Sequence, residues 1–150
     1  MQPRIDIAHV KPEAYKAMRG LQAYVDDTGL EPSLRHLVQI RASQINGCAF
    51  CVHMHLGDAR KAGESEERLD LVAVWREAPL FTARERAALA WTEALTLLAD
   101  SHVPDDVYAA ARAEFSESEV VDLTMAVVAI NGWNRLMMSF RIPPRIARSD

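Results

Sequence analysis

Cysteine is scarce in this chain: the 150 residues contain two, Cys48 and Cys51, and both belong to one CxxC. A framework of structural disulfides is therefore excluded, and in a reducing compartment such a lone pair is catalytic or metal-binding rather than a staple. No second pair of ligands with the spacing of a structural zinc site occurs elsewhere. Long apolar runs are missing too. No segment approaches the roughly 18 consecutive apolar residues of a membrane span, and "MQPRIDIAHVKPEAY" has no apolar stretch of the kind that follows the basic residues of a secretory signal. A cytoplasmic location and no membrane partner are expected. Nor is there an excess of positive charge: the net charge is −4, and Lys and Arg are interleaved with Asp and Glu, so nucleic acid is not an expected partner. Linkers, low-complexity tracts and internal repeats are absent, and strand patterns nearly so. One domain spanning residues 1–150 is expected, and a chain of this length buries roughly 68–70% of its unfolded surface, enough for a core without staples.

What is present reads as helix after helix. Pro12 opens the first, with Ala14, Met18, Leu21 and Val25 at helical spacing and Gly29 as its stop. Pro32 opens a second, whose apolar face is Leu34, Leu37, Val38 and Ile45 and whose break is Gly47. A third starts near Cys48 and runs to Gly63. Ser65, followed by Glu66 and Glu67, caps a fourth that carries Leu69, Val72 and Trp75. Thr82 and Glu85 form a capping box in front of Ala88, Trp91, Leu95 and Leu98. Pro104 starts a short helix through Tyr108, Ala111 and Phe115. Ser116 and Glu119 form a second box, opening "VVDLTMAVVAINGWNRLMMSF". That segment is apolar nearly all round, which places it at the centre of the fold or against another subunit. The class expected is all-α. The surplus of apolar surface on this helix makes a homo-oligomer the expected assembly, and the tryptophans and methionines fall at positions expected for core packing.

The chemistry gathers in "QINGCAFCVHMH". Gly47 ends one helix and sets Cys48 at the N-terminus of the next, where unpaired N–H groups and the helix dipole favour a thiolate. Cys51 lies about one turn on along the same face, a spacing that lets two sulfurs reach bonding distance. His55, four residues further, shares that face and can move a proton; His53 points elsewhere. A redox dithiol is one reading. A second is zinc, with Cys48, Cys51 and His55 as ligands and His36 or His53 as the fourth. The bland reading is a buried helix whose polar side chains are simply satisfied.

The words "IRASQINGCAFCVHMHLGDARKAGESEERL", "WREAPLFTARERAALAWTEALT" and "AINGWNRL" resemble the alkylhydroperoxidase D-like branch of the carboxymuconolactone decarboxylase superfamily over roughly Leu34 to Phe140. The resemblance implies an all-helical fold, trimers or hexamers, and thiol-dependent reduction of a hydroperoxide without haem, flavin or other cofactor. The implied reductant is an external thiol, a peroxiredoxin or a lipoylated partner. By position, Cys51 resembles the cysteine that attacks peroxide, Cys48 the one that closes the disulfide and meets the reductant, and His55 the relay histidine. The residues alone favour Cys48 as the more acidic thiol, and also as the more exposed one, since a helix start is normally the open end. Two departures stand out. The relay glutamate of the resembled branch, twelve residues before the first cysteine, is His36 here, and the histidine inside its CxxC is replaced by Ala49 and Phe50. His36 is expected to substitute as base or hydrogen-bond partner. Besides the zinc module, the alternative is the lactone decarboxylase branch, which works by acid–base chemistry without the dithiol.

Overall fold

The computed structural model describes residues 2–144 and 146; Met1, Arg145 and residues 147–150 of the expected domain lie outside the described residues. Among the described residues every regular element is helical: α1 Ile7–Val10, α2 Pro12–Asp26, α3 Pro32–Asn46, α4 Ala49–Lys61, α5 Glu66–Leu71, a 3-10 turn Val72–Val74, α6 Ala83–Thr96, α7 Leu98–Ser101, α8 Asp105–Glu114 and α9 Glu117–Ser139. The all-α expectation is met. None of these helices is long and apolar enough to cross a membrane.

The element boundaries follow from local chemistry. Proline occupies the first turn of α2 and α3, where no intrahelical N–H is needed. Thr82 with Glu85 and Ser116 with Glu119 make complete capping boxes at α6 and α9, arrangements whose cap residue alone contributes about 1 kcal/mol. Gly47 ends α3 at φ 70, in the left-handed region that glycine enters without strain. The Gly47 and Cys48 N–H groups return to the carbonyls of Gln44 and Ser43 at 3.2 and 3.0 Å. Cys48 then sits extended, at φ −83 and ψ 94, as the residue that starts α4.

Helix α3 is the hub, packing on α4, α6 and α9, while α9 also crosses α2 and α6. Side chains divide the interior into three clusters. Leu34, Val38, Trp91, Leu123 and Val127 join α3, α6 and α9. Leu37, Ile40, Leu69, Val72, Trp75 and Leu89 join α3, α5 and α6. A third cluster, built from Ala42, Cys48, Cys51, Ile130 and Met137, surrounds the dithiol. Arg84 ties the ends of four helices together: it donates to Glu31 at 2.9 Å and to Glu119 at 2.6 Å, reaches the Glu114 carbonyl, and lies 4.0 Å over the Phe115 ring.

One detail departs from the sequence reading. The stripe from Ala88 to Leu98 breaks, because α6 ends at Thr96 and Leu98 begins the separate turn α7, where it is 54% exposed. Helix α9 is central, yet it keeps Val121, Val128 and Met138 exposed on its outer side.

Candidate functional site

The turn at Gly47 folds Cys48 inward. Its side chain packs beside Ala42 and Ile130 and is 1% exposed, as is Cys51. The two sulfurs lie 2.8 Å apart and share a hydrogen bond; both cysteines are free thiols. That separation is longer than the roughly 2.05 Å of a disulfide, so closure needs only a small approach. The expectation that Cys48 is the exposed sulfur is therefore corrected. Cys51 lines a cleft of about 340 Å³, whereas Cys48 lies behind it and is absent from the lining.

Acidity is divided the other way. The Cys48 thiol is lowered to about 7, first by the hydrogen bond that Cys51 offers its sulfur. Burial opposes this, but the backbone N–H of Cys51, the Asn134 carboxamide and the Phe50 N–H all favour the thiolate. The two N–H groups act as nearby dipoles at the helix start, without a regular side-chain cap bond. Cys51 is pushed up, because its proton is held by Cys48 and because it is buried beside that negative charge. The pair thus titrates as a unit: one charge resides mainly on Cys48, and Cys51 holds the remaining proton.

His55, one turn beyond Cys51 on α4, is 7% exposed and lines the same cleft. Burial lowers its pKa to about 4, Asp58 and Asp26 push weakly the other way, and His36 adds to the lowering. At neutral pH it is an uncharged imidazole. His36 reaches the cleft from α3, half-buried, with its pKa lowered mainly by burial and with its Nδ1 lacking a hydrogen-bond partner. The structure thus gathers Cys51, His55 and His36 around one space, with Cys48 directly beneath Cys51. His53 stands exposed on α4 and is not among the residues lining the cleft.

Several residues that the sequence reading left out of the chemistry belong to this site. Phe50, Met54, Trp133 and Met137 form apolar walls of the cleft, and Tyr15 meets Trp133 edge-on with ring centres 5.7 Å apart. Asn134 was not singled out at all, although a buried asparagine inside so apolar a helix is the sort of exception that signals a role. The zinc reading lacks its donor set: among the described residues no group of three His, Cys, Asp or Glu side chains is placed to hold a metal ion.

A helical bundle that starts one helix with a dithiol, and opens one of its sulfurs to a histidine-lined cleft, defines a CxxC thiol protein of the all-helical class. Within that class the chain belongs to the Carboxymuconolactone decarboxylase family, whose model matches residues 12–94, and to its AhpD-like branch. It is 37% identical to the uncharacterized protein YdfG of Bacillus subtilis over 139 residues, 93% of this chain and 95% of that one. Among solved structures, it is similar to a protein of unknown function from Agrobacterium tumefaciens named as a candidate AhpD antioxidant defence protein. There the TM-score is 0.95 at 46% identity, covering 97% of this chain and 100% of the other. An alkylhydroperoxidase AhpD core from Ralstonia eutropha JMP134, an uncharacterized peroxidase-related protein, shares the fold with a TM-score of 0.80 at 24% identity, covering 93% and 74%.

Proposed function

We propose that this chain is a thiol-dependent peroxidase of the alkylhydroperoxidase type, cycling Cys48 and Cys51 between dithiol and disulfide. The observation that carries the reading is one sulfur at the cleft wall with a second, more acidic sulfur 2.8 Å behind it. At rest Cys48 is the thiolate and Cys51 the thiol. When a hydroperoxide occupies the cleft, Cys51 passes its proton across the sulfur–sulfur hydrogen bond to Cys48 and becomes the nucleophile. It attacks the terminal peroxide oxygen; the O–O bond breaks, Cys51 becomes a sulfenic acid, and the alkoxide takes up a proton from solvent, relayed by His55 and His36. Cys48 then loses its proton and attacks the Cys51 sulfur, and hydroxide leaves and is protonated to water. The sum is one dithiol and one hydroperoxide giving one disulfide, one alcohol and one water. An external dithiol resets the pair by thiol exchange. Burial of Cys48 supports entry of that thiol through the cleft, onto Cys51, which favours a slender arm such as a lipoyl group over a thiol on a broad protein surface.

The test is anaerobic reaction with cumene hydroperoxide. Two thiols should disappear and one Cys48–Cys51 disulfide form for each peroxide consumed, read by thiol titration and intact mass. With Cys48 titrating at about 7, the rate should rise about tenfold from pH 6 to pH 8 and level off above, as the thiolate fills. Peroxide left unconsumed, or consumed at full rate after iodoacetamide blocks both cysteines, ends the reading.

A further inference from the structure

We propose that Gln39 and Arg19 are the substrate-recognising residues of the cleft, and that the hydroperoxide they select is amphipathic, an apolar body carrying a carboxylate. The inference rests on the cleft being the hydroperoxide site, and it names the class of peroxide that the site takes.

Hydrogen bonding singles out Gln39. Buried polar side chains away from the cleft are partnered: the Thr92 hydroxyl donates to the Ala88 carbonyl at 2.7 Å, Asn131 to the Val127 carbonyl at 3.0 Å, and Asn134 to the Ser43 hydroxyl at 3.1 Å. The exceptions are Gln39 and His55. Both are 7% exposed, both line the cleft, and neither side chain has a hydrogen-bond partner among the described residues. A buried carboxamide left unpaired is costly in free energy, so its place in a native fold calls for a partner from outside the chain. Its NH2 donates and its carbonyl accepts, and a hydroperoxy group offers an oxygen and an O–H that match the two.

Charge singles out Arg19. Tyr15, Arg19, Gln22 and Asp26 follow one another at i, i+4, i+7 and i+11 along α2 and line one side of the cleft. Both acids of the lining are engaged: Asp26 accepts from the Gln22 carboxamide at 2.9 Å and from Arg35 at 3.5 Å, and Asp58 pairs with Lys61 at 3.5 Å. Arg19 has no ion pair or hydrogen bond with any described residue. Its neighbours one turn away on α2 are Tyr15, Lys16, Gln22 and Ala23, none of them acidic. Its guanidinium is therefore open to an anion, and two of its N–H groups match a carboxylate.

Exposure orders these groups along the cleft. Cys51, His55 and Gln39 are buried and form its deep end, whereas Arg19 is exposed and marks its mouth. Phe50, Met54, Trp133 and Met137 supply the apolar walls. A substrate whose hydroperoxy group reaches Cys51 meets Gln39 at the same depth, lays its apolar body along the walls and leaves its carboxylate at Arg19.

The experiment is titration calorimetry of the reduced protein with ricinoleate, with its methyl ester, and with oleate, which lacks the hydroxyl. That hydroxyl stands in for the hydroperoxy group, and no turnover is needed. Ricinoleate should bind about tenfold more tightly than its ester and about fivefold more tightly than oleate. Arg19→Gln should abolish the first ratio and keep the second. Gln39→Leu, of similar volume, should abolish the second and keep the first. Failure of ricinoleate to bind, equal affinity for it and its ester, or a ratio that survives its matching substitution overturns the proposal. Should Gln39→Leu fail to fold, equal affinity of the unaltered protein for ricinoleate and oleate overturns it instead. A protein inert to hydroperoxides would end the peroxidase reading and leave these ratios standing, whereas ratios of one in a protein that consumes peroxide would end the present inference alone.

Discussion

Cys51→Ser is expected to lower the second-order rate of hydroperoxide consumption by about 10³-fold or more, while Cys48→Ser is expected to retain a single attack per chain that stops at a sulfenic acid. The asymmetry follows from dividing access and acidity between two sulfurs. Only Cys51 meets the cleft, so a serine there removes the sulfur that a peroxide can touch, and the buried Cys48 thiolate has no route to substrate. In Cys48→Ser the attacking sulfur survives, yet it loses the acceptor that takes its proton and the partner that would condense with its oxidised form. Its rate at neutral pH should fall about tenfold, and its pH dependence should move toward that of an ordinary thiol. Dimedone should label Cys51 in this variant, stoichiometrically with peroxide, and no intramolecular disulfide should appear in the mass spectrum. Equal rates for Cys51→Ser and the unaltered protein, or a dimedone adduct on Cys48 in Cys51→Ser, would reverse the roles.

The same division explains why two routes through the sequence disagreed about the cysteines. The helix-start argument concerns charge, and it picks Cys48, whose thiol is lowered to about 7. Resemblance concerns attack, and it picks Cys51. Each describes a different property of one coupled pair. What sequence could not supply was the direction in which the Cys48 side chain leaves its turn. Gly47 announces a break, but whether the next residue faces solvent or core depends on how α4 docks against α9, a tertiary matter that periodicity does not encode.

Elements with strong local chemistry were legible. Pro32 and Gly47 bound α3, and the boxes at Thr82 and Ser116 start α6 and α9 as expected. Trp133 and Met137 were legible as apolar positions only, since an apolar cleft wall has the same composition and spacing as a core. His36 and Cys51 sit on different helices joined by a turn, so no helical spacing relates them; resemblance assigned both to one site, and the fold lines a single cleft with them. Leu98 was misplaced for a related reason. The end of α6 at Thr96 carries no glycine or proline to mark it, and the stripe was continued past the real terminus.

His36 offers the second large effect, through His36→Glu. In the present site burial keeps both histidines uncharged, and His36 disfavours a proton on His55. His55 carries an energetic consequence. Its pKa is about 4 in the folded chain against 6.5 for the ordinary side chain, so the unfolded state binds more protons between those values. Stability should therefore fall as pH drops from 6.5 toward 4, by about 3 kcal/mol at the lower end, and His55 adds no pH dependence above 6.5. A glutamate at position 36 replaces a group that repels the imidazolium with one that attracts it. The His55 midpoint should rise, the acid loss should shrink, and a protonated His55 becomes available to the departing alkoxide. General acid assistance of this kind should raise peroxide turnover on the order of 10–100-fold near pH 6. An NMR titration of His55 and urea unfolding at pH 4.5 and 7 check the first two effects, and stopped-flow kinetics check the third. A His55 midpoint unmoved by His36→Glu would show that the two side chains do not share the cleft electrostatically. A midpoint that rises while the rate stays flat would remove His55 from proton delivery and leave that step to solvent.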